Sequence, residues 1–285
     1  HVVAAAGGVV GDRLDHIATA VEQVDLPVLA GGDRRGEREA MVWADFEKNL
    51  VAHNGDVHIQ VGDLFDTFEV PNAVVKRAAD IYKKAAKDLS SCVFLVVRGN
   101  HDASRNAEKV SSFDLFKDMV AVCQNITVVD TPMVSVHEGQ YFGVLPWDPF
   151  KSAEEQALSL RNYGRHLSFI VCHCDVKSYG GDNFNVLPVD KLEKMTSIVV
   201  TGHDHTKRDL KIGDLTVHVT GSMQPYSHGE DPEHTLYLTM TPKELPLVDV
   251  TNKYVRVILS KGDVPPEVPN CLGYKEVKEI GRSHV

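Results

Sequence analysis

The sequence predicts a layered α/β protein. Apolar, strand-like runs alternate with segments of helical spacing through most of the 285 residues, several of those runs stop abruptly at polar residues, and 43% hydrophobic with 25% charged content is the composition of a chain that buries a core. The length favours one large domain with a small appendage.

The first element with a clear signal is a helix over about 37–53, and Val57–Val61 then reads as a buried strand ending at Gly62-Asp63. Pro71 occupies a first-turn position, and Val74, Val75, Ala78, Ile81, Tyr82 and Ala85 recur at helical spacing, which predicts a helix over about 71–89. Cys92–Val97 is an apolar β-branched run ending at Arg98-Gly99-Asn100. Further strands are expected at Ile126–Val129, Tyr141–Leu145, Leu167–Cys172 and Ile198–Thr201. Ser152 with Glu155 three residues on has the spacing of a capping box and opens a helix over 152–162. Beyond Thr201 strands dominate, at Leu215–Thr220, Thr235–Thr241 and Tyr254–Leu259, and the proline-containing stretch Gly262–Pro269 reads as a linker.

Thirty Lys and Arg against 40 Asp and Glu give a formal charge of −10, which excludes a basic DNA-wrapping protein and any broad attraction to anionic membrane. No apolar run approaches the roughly 18–20 residues that span a bilayer, so a soluble protein with no membrane partner is expected. His1–Val10 has no basic flank and does not read as a secretory signal. The five cysteines are an odd set without a C-x-x-C pair, which suits reduced cytoplasmic thiols better than disulfides or a zinc ribbon. Fourteen histidines is a high count, and histidine is the commonest metal ligand.

Four strands end in residues able to bind metal: Gly62-Asp63-Leu64-Phe65-Asp66, Gly99-Asn100-His101-Asp102, Cys172-His173-Cys174 and Gly202-His203-Asp204-His205. Sites in open α/β sheets form at the carboxyl ends of strands, so these clusters are expected to converge. Carboxylate, amide oxygen and imidazole together suit manganese, iron or zinc better than calcium or magnesium. A carboxylate shared by two ions held about 3.5–4 Å apart is an arrangement for phosphoester hydrolysis. Any one cluster has a structural explanation, a turn or a helix cap; the ordered set of four does not.

The order GDxxD, GNHD, a single His after a strand and then GHxH resembles the calcineurin-like metallophosphoesterase superfamily. Three further stretches, Val61–Asn72 (VGDLFDTFEVPN), Val144-Leu145-Pro146-Trp147 and Thr220-Gly221-Ser222, resemble the SbcD-type nuclease subunits of double-strand-break repair and their bacteriophage relatives. The resemblance implies a four-layered α/β/β/α sandwich of two mixed sheets, with an atypical segment over 1–36, a nuclease core over 37–245 and a short β-containing extension over 246–285. It implies two divalent ions, most simply manganese, with iron, zinc or magnesium as alternatives. Asp63 would bridge them, Asn100, His173 and His203 would complete one site, and His205 would belong to the other. His101 would assist the leaving oxygen, Asp102 would orient His101, and Asp66 would hold the ligands from behind. Arg98 and Arg105 flank GNHD and are candidates for phosphate binding, with a salt bridge to a site carboxylate as the other reading of each.

The implied activity is hydrolysis of DNA phosphodiesters, by exonuclease or endonuclease action, through attack of a metal-held hydroxide. The implied partners are DNA, a coiled-coil ATPase of the SbcC type and a second copy of the chain, in the cytoplasm or, for a phage protein, the host's. About 40 residues follow the β-rich segment, which is little room for an ATPase-binding tail. Two other readings stay open: a stand-alone phosphoesterase for nucleotides or phosphoproteins, and a metal-impaired regulatory subunit.

The last reading comes from a departure. The family opens with D-x-H after its first strand; here Leu26–Ala30 is the expected strand, Asp33 matches the carboxylate, and Arg35 replaces the His. A guanidinium has no lone pair to offer a cation. The literal match, Asp56-Val57-His58, is a decoy, because Asp56 starts the strand that Asp63 ends. Cys172 and Cys174 should face away from His173 as packing residues. Among the histidines outside these motifs, His137 and His234 included, all are read as surface or structural, and His228 alone is placed near the cleft by the resemblance.

Overall fold

The computed structural model describes residues 19–21, 35–51, 56–106, 108–178, 181, 183–225, 227–268 and 270–278. The expected strand at 26–30 and the candidate ligand Asp33 lie outside these residues. The described strand beside the second one is β1 (Thr19–Val21). The chain divides into two compact units, residues 1–28 with 43–223 and residues 29–42 with 224–285.

In the larger unit, β1 pairs in parallel with β2 (Val57–Gln60), which continues through β3 (Val93–Val97) to β4 (Ile126–Val129). A second, six-stranded sheet has the order β5-β6-β7-β8-β10-β9. Its strands are β5 (Met133–His137), β6 (Gln140–Leu145), β7 (Phe169–Cys172), β8 (Ile198–Thr201), β9 (Arg208–Ile212) and β10 (Leu215–Val219). It is mixed: β6, β7, β8 and β10 run parallel, while β5 and β9 pair antiparallel at its edges.

The period-two alternation of side chains sorts the core into layers. Val57, Ile59, Val61, Leu95 and Val97 from the first sheet meet Phe142, Val144, Phe169 and Val171 from the second, with the rings of Phe142 and Phe169 stacked 4.8 Å apart. Residues of opposite parity face helices. Outside the second sheet, Leu145, Ile170 and Cys172 pack with Ala153, Ala157 and Leu160 of α4 (Ala153–Leu160) and Leu192 of α5 (Val189–Leu192). Outside the first, Phe94 meets Tyr82 of α2 (Asn72–Asp88), whose ring also contacts Phe116 of α3 (Ser112–Val120) and Phe46 of α1 (Arg35–Val51). Helix, sheet, sheet and helix follow one another, which is the four-layered sandwich.

The helices begin where local chemistry dictates. Ser152 and Glu155 form the expected capping box, and Ser111 with Asp114 forms another. Pro71 caps α2, its carbonyl accepting the N–H of Val74 at 2.8 Å.

The smaller unit contains a parallel sheet of β11 (Tyr237–Met240), β12 (Tyr254–Leu259) and β13 (Gly273–Lys278) over Met240, Val255, Val257, Leu259 and Cys271. The extension expected over 246–285 lies within this unit, which comprises residues 29–42 and 224–285. Among the described residues β11 pairs with β12.

Candidate metal centre

β2 and β3 are parallel neighbours in one sheet, β7 and β8 in the other, so their carboxyl ends deliver four loops to one edge of the sandwich. The loops crowd together. Gly62 has φ +98°, and a Cβ there would run into the His173 ring; Gly99 has no room for one against the Asp63 carboxylate and main chain. Asp63 and His203 adopt φ +52° and +71°, left-handed conformations that disfavour side-chain-bearing residues and that collect at functional sites.

The donors converge. Asn100 Oδ1 lies 2.9 Å from His173 Nε2 and 2.8 Å from His203 Nδ1, and the two ring nitrogens are 3.2 Å apart. Asp63 Oδ2 lies 3.3 Å from His173 Nε2. Each imidazole is held through its other nitrogen. His173 Nδ1 is 2.9 Å from the Val61 carbonyl and His203 Nε2 is 2.9 Å from Asp175 Oδ1. A carbonyl and a carboxylate only accept, so those nitrogens carry the protons of the neutral rings, and in that form the nitrogens facing Asn100 carry lone pairs.

Asp63, Asn100, His173 and His203 therefore present a carboxylate, an amide oxygen and two imidazole lone pairs to one point, with no donor among them. The ligating atoms of Asp63, His173 and His203 all lie within 4.8 Å of one another. Tetrahedral ligands about 2.1 Å from an ion sit about 3.4 Å apart, close to the observed spacings. This donor set fits a divalent metal ion of the borderline class.

Electrostatics agree. Burial alone would lower the His173 imidazole, but the adjacent Asp63 carboxylate and the Val61 carbonyl more than offset it and carry it up to about 9. Burial would raise Asp63, yet His173 and the hydrogen bond from His101 hold it below the usual carboxylate range. The cluster is built to hold positive charge, as a proton or as a metal ion.

Of the other predicted residues, His101 lies beside this cluster, its main-chain N–H donating to Asp63 Oδ1 at 2.9 Å. Asp102 is buried, and its carboxylate accepts the N–H groups of Gly99, Leu64 and Phe65 at 2.9, 3.1 and 3.0 Å. Those bonds tie the β2 and β3 loops together and do not reach the His101 ring. Burial first, and then the Asp63 charge, push Asp102 up to about 7. His205 does not join the ligand cluster among the described residues; its carbonyl accepts the N–H of Ser222 at 3.2 Å. Asp66 is half-buried, with no described hydrogen bond to a ligand.

Arg98 donates from Nε to the Trp147 carbonyl at 2.9 Å and lies 3.8 Å from Asp148, so its guanidinium braces the β6 loop. Arg105 is exposed, 5.5 Å above the Phe184 ring. The decoy is explained: His58 is buried against Phe94 at 5.4 Å, and Asp56 precedes β2 at the end away from Asp63. Cys172 and Cys174 pack in the outer core. His228 bonds Thr239 within the C-terminal unit. Asp175 is the residue that sequence reasoning missed. No motif marks it, because it lies in the loop beyond β7.

A family model for calcineurin-like phosphoesterases matches residues 34–207, which contain Asp63, Asp66, Arg98, Asn100, His101, Asp102, Arg105, His173, His203 and His205 but not Asp33 or His228. The chain belongs to that family. Its members are phosphoester hydrolases that use divalent metals, and the acceptor cluster is where this chain would hold one. Among solved structures, the chain is similar to a Staphylococcus aureus protein described as a 5′-nucleotidase, at 15% identity and a TM-score of 0.43, over 72% of this chain and 48% of that one. It is also similar to an archaeal phosphodiesterase, at 14% identity and a TM-score of 0.36, over 74% of this chain and 87% of that one. The chain thus spans about half the length of the first. No curated protein sequence matches it. No described helix is long and apolar enough to cross a membrane.

Proposed function

We propose that this phosphoesterase is a metal-dependent phosphodiesterase that cleaves the DNA backbone, the nuclease component of an assembly with a coiled-coil ATPase. The observation that carries the hydrolytic part is the acceptor-only cluster of Asp63, Asn100, His173 and His203. Divalent metal bound there supplies Lewis acidity toward a phosphoryl oxygen and activates a water for attack. The chain's own residues do the rest. Val61 and Asp175 fix the imidazoles, Asp102 locks the two loops in register, and Asp63 positions the main chain of His101. An imidazole at that place is suited to protonate the departing oxygen.

Three placements support the choice of DNA. Each stretch that resembles the SbcD-type subunits packs on a site loop. Leu64 and Phe65 bind Asp102, Trp147 N–H donates to the Arg98 carbonyl at 2.8 Å, and Ser222 N–H donates to the His205 carbonyl. The same reading takes manganese as the metal and includes a second copy of the chain as partner.

The test is a manganese-dependent nuclease assay on linear and hairpin DNA, comparing wild type with His101→Ala. The reading expects cleavage of both substrates and a fall of about 10²–10⁴ in the variant. Equal rates would refute the role of His101. Hydrolysis of bis-p-nitrophenyl phosphate or cyclic nucleotides with DNA left intact would replace the DNA reading by a nucleotide phosphoesterase. A chain that retains no metal would point instead to a regulatory subunit.

A further inference from the structure

A second group of ligating side chains lies at the opposite end of β2. Asp56 leads into that strand, its carbonyl accepting the N–H of Val93 at 2.8 Å. His137 and Glu138 come from the turn between β5 and β6, where His137 pairs with Gln140 across a two-residue loop. Glu138 and Gly139 have φ +46° and +78°, the left-handed pair of a type I′ hairpin, so the turn has one shape and aims its side chains reproducibly.

The ligating atoms of Asp56, His137 and Glu138 all lie within 4.8 Å of one another. His137 Nε2 is 3.9 Å from Asp56 Oδ2, too far for a hydrogen bond. That nitrogen is nonetheless buried and has no hydrogen-bond partner. A buried polar atom left unsatisfied is costly, and here it faces two carboxylates that offer it no donor.

We propose that Asp56, His137 and Glu138 form a second cation site, separate from the metal centre, that takes a divalent transition metal of the zinc type. One imidazole and two carboxylates are a borderline donor set, unlike the all-oxygen shells of calcium and magnesium. Tetrahedral ligands lie about 3.4 Å apart, so Asp56 and His137 must close by about 0.5 Å. The Asp56 side chain is half exposed and Glu138 is exposed, so both are free to make that movement. Because Asp56 belongs to the first sheet and the hairpin to the second, an ion there clips the two sheets together at the edge away from catalysis. Its role is structural.

The experiment is a titration with zinc alone, by calorimetry and by thermal unfolding at neutral pH, in a His203→Ala background that disables the catalytic cluster. The expected result is one zinc ion bound by that chain, lost when His137→Ala is added and weakened about tenfold or more when Glu138→Gln is added. Zinc should raise the melting temperature of the His203→Ala chain and not that of the chain carrying His137→Ala as well. Equal zinc stoichiometry and affinity in all three chains would overturn the site and leave an ordinary ion pair. Should His137→Ala fail to fold, Glu138→Gln decides, since its side chain is exposed; unchanged affinity there overturns the proposal.

Discussion

Two buried carboxylates each gather three main-chain N–H groups, Asp102 among the site loops and Asp231 in the C-terminal unit, and they end with opposite charge preferences. Asp231 accepts from Thr235, Leu236 and Tyr237 at 2.8, 2.6 and 2.6 Å, and from the Thr235 hydroxyl at 2.9 Å. Burial would raise it, but those donors more than offset burial and hold it below the usual carboxylate range. Asp102 has three longer bonds and a second carboxylate, Asp63, close by, and is pushed up to about 7. The architecture of the clamp is the same; at Asp102 burial first, and the neighbouring Asp63 anion second, outweigh the donors. A site that concentrates carboxylates to hold a cation must place its own structural carboxylate in an unfavourable field, whereas a unit with no such task need not.

That contrast can be broken by mutation. The largest effect is expected from Asp231→Ala, which strands three N–H donors that now hold a fully charged acceptor, and should destabilise the C-terminal unit by about 3–5 kcal/mol in urea unfolding. Asp102→Ala strands three donors too but also removes an unfavourable charge, so its cost should be smaller, about 1–3 kcal/mol in the presence of a chelator. A larger loss for Asp102 than for Asp231 would contradict the comparison.

Asp175→Asn should come next. It weakens the acceptor that fixes His203 without touching the ligands, and metal affinity should fall about 10–100-fold with little change in melting temperature of the chelated protein. The smallest effect is the opposed pH dependence. Asp102 has a raised folded pKa, so its contribution is fully present below the ordinary value of 3.8 and is lost as pH rises through about 7. Asp231 has a depressed one, so its contribution is present above 3.8 and is lost as pH falls through the lower folded value. In chelator, wild type should lose about 1 kcal/mol or more relative to Asp102→Asn between pH 5 and 8. Relative to Asp231→Asn, it should change only in acid.

The same electrostatic and packing logic explains what could be read from the sequence. Strands buried on both faces, such as β2, β3 and β7, announce themselves. The apolar β4, β8 and β12 also occur over the residues expected, as do the glycine-marked ends that carry Asp63, Asn100 and His203. Polar edge strands do not. β9 (RDLKI) and β13 (GYKEVK) are polar and half exposed, and backbone pairing rather than side-chain burial makes them strands. α3 went unassigned although Phe113, Phe116 and Val120 bury one face behind the Ser111 cap. At the site, ligand types could be read from motif spacing. The tautomer-fixing partners could not, because Val61 and Asp175 act on His173 and His203 from other loops, 112 residues from His173 in the first case.

The central claim is that Asp63, Asn100, His173 and His203 hold a catalytic divalent ion. Its most direct test is hydrolysis of bis-p-nitrophenyl phosphate by chelator-stripped protein resupplied with manganese, measured for wild type and Asn100→Ala with bound metal counted in both. The account predicts that manganese restores activity to wild type alone, and that Asn100→Ala loses both the tightly bound ion and the hydrolysis while remaining folded. Manganese binding and hydrolysis in Asn100→Ala equal to wild type would contradict it.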